Sequence, residues 1–188
     1  MTTRHLIGLA AAALWLTSCQ SNTYHIKGTA ESLSDGQTVY LSANPGTLTP
    51  LDSAVITQGA FRFDGETDST CAAIIYAKHN TRQSIDFLLT PGSADIVLSA
   101  TPGLSRISGS TVHDEWQAMT DQLAIHSNRL RKLVKASSSL TDSGQVALLT
   151  EARQIESEMK ACIANTAQRN SHNALGHFIA THFTDSMP

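Results

Sequence analysis

Ile107-Ser108-Gly109-Ser110-Thr111-Val112-His113-Asp114-Glu115-Trp116-Gln117-Ala118-Met119 is the stretch in which the chain changes period. Before it, apolar residues come in short runs with two-residue alternation, interrupted by turn residues; after it they recur every three or four residues. Alternation places successive side chains on opposite faces of a strand, whereas a 3–4 spacing builds one face of a helix. The expected fold class is therefore α+β: an antiparallel β-sandwich or barrel over residues 24–110, then a helical region over 111–188.

Upstream of the switch, Tyr24-His25-Ile26-Lys27-Gly28-Thr29-Ala30 reads as a strand, and Asp35-Gly36 is a turn signal before Thr38-Val39-Tyr40-Leu41-Ser42. Asn44-Pro45-Gly46 breaks the chain again. Asp52–Thr57, Gln58-Gly59 and Ala60–Asp64 predict a hairpin with a two-residue turn, Phe61 and Phe63 on one face and Arg62 on the other. Cys71-Ala72-Ala73-Ile74-Ile75-Tyr76-Ala77 is apolar at every position, which predicts a central strand covered on both faces. Ser84–Leu89, stopped by Pro91-Gly92, then Ala94–Leu98 and Leu104–Ile107 complete a set of seven or eight short strands.

Downstream, Val112, Trp116, Met119, Leu123, His126, Leu130 and Leu133 form one stripe on a helix of about six turns. Ser137-Ser138-Ser139 ends it, and Thr141 or Asp142 can cap a second helix striped by Leu148, Ala152, Ile155, Met159, Cys162 and Thr166. The short polar loop between them implies an antiparallel hairpin. Asn173–Ile179 opens a short third helix.

The chain holds 13 Lys+Arg against 16 Asp+Glu, a net charge of -3, which argues against nucleic acid as a partner. Three cysteines are too few for a disulfide scaffold. At the N-terminus, Arg4 and His5 precede an apolar run from Leu6 to Leu16 that is too short to cross a bilayer, which takes about 20 residues. The run ends in Leu16-Thr17-Ser18-Cys19, which resembles the bacterial lipobox. The resemblance implies a signal peptide over residues 1–18, cleaved before a diacylated Cys19, and a lipidated tether over residues 19–23. The partner is then the membrane itself, held through the lipid on Cys19, and the expected address is the periplasmic side of the bacterial outer membrane. An ordinary signal peptide followed by an incidental cysteine is the competing reading. In the oxidising compartment that either reading implies, Cys71 and Cys162 can pair as a disulfide or stay as two small buried hydrophobes.

The order of motifs is itself informative. The lipobox is followed by Tyr24-His25-Ile26-Lys27-Gly28, Asp35-Gly36-Gln37-Thr38-Val39-Tyr40-Leu41, Leu51-Asp52-Ser53-Ala54-Val55-Ile56 and Gly59-Ala60-Phe61-Arg62-Phe63-Asp64-Gly65. Then come Leu89-Thr90-Pro91-Gly92-Ser93-Ala94-Asp95-Ile96 and Ile107-Ser108-Gly109-Ser110. This resembles the β-rich N-terminal domain of envelope lipoproteins that carry a C-terminal thioredoxin-like, peroxiredoxin-related domain. In that family the resemblance assigns redox work to a C-x-x-C pair, in which one thiolate attacks and the other resolves. The chain has no C-x-x-C, so oxidoreductase activity is not carried over, and the sequence is expected to be a shortened member, a truncated gene or a fragment.

Other candidate sites are weaker. His172, His177 and His182 are five residues apart, which rotates them by about 140° on a helix and off a common face. No Cys/His cluster has zinc spacing, so no metal or other cofactor is expected. Asp52-Ser53 lacks a placed base, and neighbours on a strand face opposite ways. Asp86 and Asp95 make an acid–base pair only if the fold joins them. Trp116 and His126 lie on the helical stripe and read as core or interface residues rather than as a sugar platform or a ligand. Met119 and Met159 suit an adaptable contact, so the hairpin is a candidate surface for self-association or for an envelope protein. The function expected from sequence is a non-catalytic scaffolding or binding module. The alternatives are a thiol–disulfide oxidoreductase built on Cys71 and Cys162, and a glycan- or peptide-binding module.

Overall fold

The computed structural model describes residues 22–136 and 142–183. The expected signal peptide and Cys19 (residues 1–21), the expected break at Ser137–Ser139 and cap at Thr141 (residues 137–141), and residues 184–188 lie outside the described residues. Eight strands precede three helices: β1 Thr23–Thr29, β2 Thr38–Ser42, β3 Asp52–Val55, β4 Ala60–Glu66, β5 Cys71–Ala77, β6 Asn80–Leu89, β7 Gly92–Val97, β8 Arg106–Ser108, α1 Thr111–Ala136, α2 Asp142–Arg169 and α3 Ala174–His182. The strands form two four-stranded sheets, ordered β4-β1-β7-β8 and β3-β2-β5-β6. The architecture is α+β, with a sandwich rather than a closed barrel.

Alternation builds the core as the sequence implies. Ile26, Phe61, Phe63, Ile96 and Ile107 point inward from the first sheet, and Val39, Leu41, Ala73, Ile75, Ile85 and Phe87 from the second. Each large side chain so buried contributes roughly 1.5–3 kcal/mol relative to exposure. β5 is indeed central, and its second face is covered as well. Tyr76 stacks at a tilt on Tyr40, with centroids 5.6 Å apart, and its hydroxyl donates to the Leu48 carbonyl at 2.7 Å.

Two expectations are corrected. The Gln58-Gly59 turn forms as foreseen: both residues have positive φ (52° and 72°), and Thr57 bridges Ala60. The flanking strands do not continue as a hairpin, however, because β3 pairs with β2 and β4 with β1. Ile56, 1% exposed, sits at the corner where the chain leaves one sheet for the other. Nor is the sandwich wholly antiparallel. β1 and β7 are parallel, since the chain crosses between sheets after β6 and β7 enters the first sheet from the same end as β1.

The helical region is docked by the first half of α1. Ser110 caps the helix, its hydroxyl accepting from the His113 amide. The buried His113 ring donates from Nε2 to the Leu88 carbonyl at 3.1 Å, which leaves Nδ1 to accept from the Ser110 hydroxyl at 3.0 Å. Trp116 donates from its indole to the Asp86 carbonyl and meets the edge of Phe178. Beyond Met119 the α1 stripe is only half-buried, because there it packs on α2 rather than on the sandwich. α2 also buries Ile163 and Ala167, which flank the expected stripe.

Burial pushes the His113 imidazole below its ordinary pKa of 6.5. The unfolded chain then takes up a proton that the native protein refuses. The stability His113 contributes is therefore complete above about pH 6.5 and is lost as pH falls toward the depressed native value. Urea unfolding at stepped pH should show this acid loss, and His113→Gln should flatten that part of the slope.

Candidate functional site

An open, polar cleft of about 640 Å³ lies at the end of the sandwich where β1 and β7 begin. Its walls come from the start of β1, from Ala174 at the start of α3 and from two connections that cross between the sheets. Asp68, Ser69 and Thr70 lie between β4 and β5, and Thr90 and Pro91 lie between β6 and β7. Gly92, at φ 114°, turns the chain into β7, a conformation that side chains rarely adopt. The first crossing is clipped to the start of the described chain: the Thr67 amide donates to the Asn22 carbonyl at 2.8 Å, and the Asn22 amide to the Asp68 carboxylate at 3.2 Å. The Thr67 hydroxyl closes the loop on the Ser69 carbonyl at 2.7 Å.

His25 stands between this cleft and the exposed face of the first sheet. The register places it opposite Asp64, and its Nδ1 lies 2.5 Å from the Asp64 carboxylate. Arg62, two residues from Asp64 on β4, grips the same carboxylate from Nε and, at 2.8 Å, from Nη2. The Arg62 and His25 hydrogen bonds hold the Asp64 carboxyl well below the usual carboxylate range. The cluster is solvent-exposed, so it fixes ring orientation more than it stabilises the fold. The geometry offers an oriented imidazole beside a hydroxyl-lined cleft.

The candidates raised from sequence are scattered. Cys71 opens β5, Cys162 lies on α2, and both are half-buried free thiols. Burial raises both thiol pKa values, against a smaller opposing effect of Arg169 on Cys162, which leaves them protonated and poorly nucleophilic at neutral pH. A thiol titration of the non-reduced, unfolded protein should find both Cys71 and Cys162 reactive; a titre lacking them would mean that they pair. Asp86 and Asp95 belong to different sheets and form no acid–base pair, although desolvation raises the Asp86 carboxyl. The Asp52 side chain accepts from the Ser53 amide, a local turn contact. Trp116 is 8% exposed and belongs to the core.

His182 stacks on Phe178, and among the described residues no three His, Cys, Asp or Glu side chains converge as a metal site. His126 is an interface residue: its Nδ1 lies 3.3 Å from Glu158, which also takes Arg129 at 2.5 Å across the hairpin. Hydrogen bonds from Gln154 and then Arg129 lower the Glu158 carboxyl.

The cleft itself escaped the sequence reading. Asp68, Ser69 and Thr70 carry no motif, Pro91-Gly92 read only as a strand stop, and the His25–Asp64 contact depends on a register that composition does not display. Arg62 and Asp64 did carry a signal, since alternate positions of one strand share a face.

Fold and site together define a two-sheet sandwich module with a helical appendage and a polar end cleft. Residues 24–116, the sandwich with the start of α1, match the family model of a domain of unknown function, DUF4369. Comparison with curated proteins and with solved structures returned no match.

Proposed function

We propose that this chain is a lipid-anchored module of the bacterial envelope that binds or scaffolds and performs no chemistry of its own. The observation that carries the reading is the position of Cys19 in Leu16-Thr17-Ser18-Cys19, three residues ahead of Asn22, where the described fold begins. Each buried acyl CH₂ contributes about 0.8 kcal/mol, so two or three chains on one cysteine anchor firmly without a spanning helix. Among the described residues no helix is long and apolar enough to cross a membrane. Both thiols are half-buried, and burial raises their pKa values, which supports a binding rather than a thiol-redox role.

In relatives with a redox domain, such a module would hold that domain at the periplasmic face of the outer membrane. Val146 and Leu149, one turn apart on α2 and more than half exposed, support the hairpin as a contact for another envelope protein or a second copy. The test is metabolic labelling with palmitate, combined with detergent phase separation. The full chain should incorporate label and enter the detergent phase, and Cys19→Ala should abolish the labelling. A labelled Cys19→Ala protein would place the lipid elsewhere.

A further inference from the structure

The end cleft lies next to the proposed anchor. Three Cα steps separate Cys19 from Asn22, so the cleft mouth stands within about 11 Å of the acylated residue along the chain. A site on so short a leash stays at the headgroup layer of the membrane that holds the lipid.

Its lining states what it can take. Thr23, Ser69, Thr70 and Thr90 offer hydroxyls, Asn22 an amide, His25 an imidazole and Asp68 a carboxylate, Ala174 closes the α3 side, and among the described residues neither lysine nor arginine lines the cleft. A phosphate there would face the Asp68 carboxylate, while the His25 imidazole is already engaged by Asp64 and the first α3 amides by the Asn173 cap, and a like charge so poorly offset is unfavourable. A vicinal diol fits instead, donating its protons to Asp68 and accepting from the side-chain hydroxyls. The two sheet-crossing connections that present these groups are fixed, one by its bonds to Asn22 and the other by the β1–β7 pairing.

We propose that the cleft binds the uncharged, hydroxyl-rich headgroup of a membrane glycolipid, so that the module is seated on the bilayer by its β1 end as well as tethered to it. The proposal rests on acylation of Cys19, and its test separates the two. Acylated full-length protein is reconstituted in phosphatidylcholine vesicles, plain or doped with monoglucosyl diacylglycerol or with phosphatidic acid. Amide hydrogen exchange is then followed, with the intact mass read on the same samples.

The glycolipid should slow exchange in residues 67–71 and 89–92 about threefold or more over plain vesicles. Asp68→Asn and, from the other connection, Thr90→Val should each remove that protection while keeping the acyl mass and the melting temperature. Acylated protein with no glycolipid effect overturns the cleft proposal and leaves the anchor standing. Equal protection by phosphatidic acid overturns the headgroup chemistry, and equal protection by free methyl glucoside in detergent overturns the membrane source. A missing acyl mass overturns the anchor, and the headgroup proposal falls with it.

Discussion

Gly176→Ala should destabilise the protein by about 3 kcal/mol, although in an exposed helix the same change is stabilising by up to about 1 kcal/mol. A Cβ at Gly176 would lie 2.1 Å from the Asn170 carbonyl oxygen and 2.5 Å from its carbon. Both atoms are backbone at the end of α2, so no side chain can rotate out of the way. α3 must lift from α2, and it carries Leu175, Phe178 and Ile179, which are buried. Lifting it also strains the Asn173 cap, whose side chain accepts from the Leu175 and Gly176 amides while its own amide holds Asn170. A loss of this size lowers Tm by roughly 6–12 °C in a chain of this length. Trp116 packs against Phe178, so its fluorescence should red-shift as α3 loosens. An unchanged Tm would mean that the α2–α3 approach is wider than the structure shows.

Gly28→Val should cost about 2–3 kcal/mol, through an aromatic ring rather than backbone. Gly28 faces Phe61 across the β1–β4 ladder, and a Cβ there would fall 2.0–2.4 Å from the Phe61 ring atoms. The ring lies over the glycine and fills the space that a side chain would occupy. Near the other end of the same ladder Tyr24 lies over Gly65 in the reverse sense, its hydroxyl 2.5 Å from a Cβ placed there. Two aromatic-on-glycine pairs thus bracket one strand pair, a device that shields glycine in a sheet and pins register. Because the clash is with a removable side chain, Gly28→Val combined with Phe61→Ala should be less destabilised than the sum of the single variants. A coupling of about 0.5–3 kcal/mol is expected in denaturant unfolding, and strict additivity would show that the ring is not the obstacle.

These two glycines show what the sequence conveyed and what it withheld. Gly28 sits within a stretch that reads plainly as a strand, and Gly176 within one that reads as a helix, since alternation and 3–4 spacing are local. What makes each glycine necessary is a neighbour remote in sequence or packing, and that comes only from the fold. The same division explains the corrected hairpin. Gln58-Gly59 specifies a tight turn through its own backbone angles, but whether the strands stay together depends on which sheet buries Ile56. The parallel β1–β7 pair was hidden for the same reason, because it is set by where the Thr90-Pro91 crossing delivers the chain. The stripes of α1 and α2 were legible, whereas the flanking Ile163 and Ala167 were not, because they are buried by tertiary contacts beyond the hairpin seam.

The candidate site was the least legible part. Asp68, Ser69, Thr70 and Thr90 are residues that any turn uses, and only the meeting of two sheet crossings at one end of the sandwich makes them a cleft. The proposed anchor rests on the opposite kind of signal, four consecutive residues that are read without any fold. Intact-mass analysis of the protein purified from a bacterial envelope tests it most directly. A chain beginning at Cys19 and carrying the added mass of a diacylglyceryl group is the expected result. A chain whose Cys19 is unmodified would contradict the membrane-tethered module on which the functional reading stands.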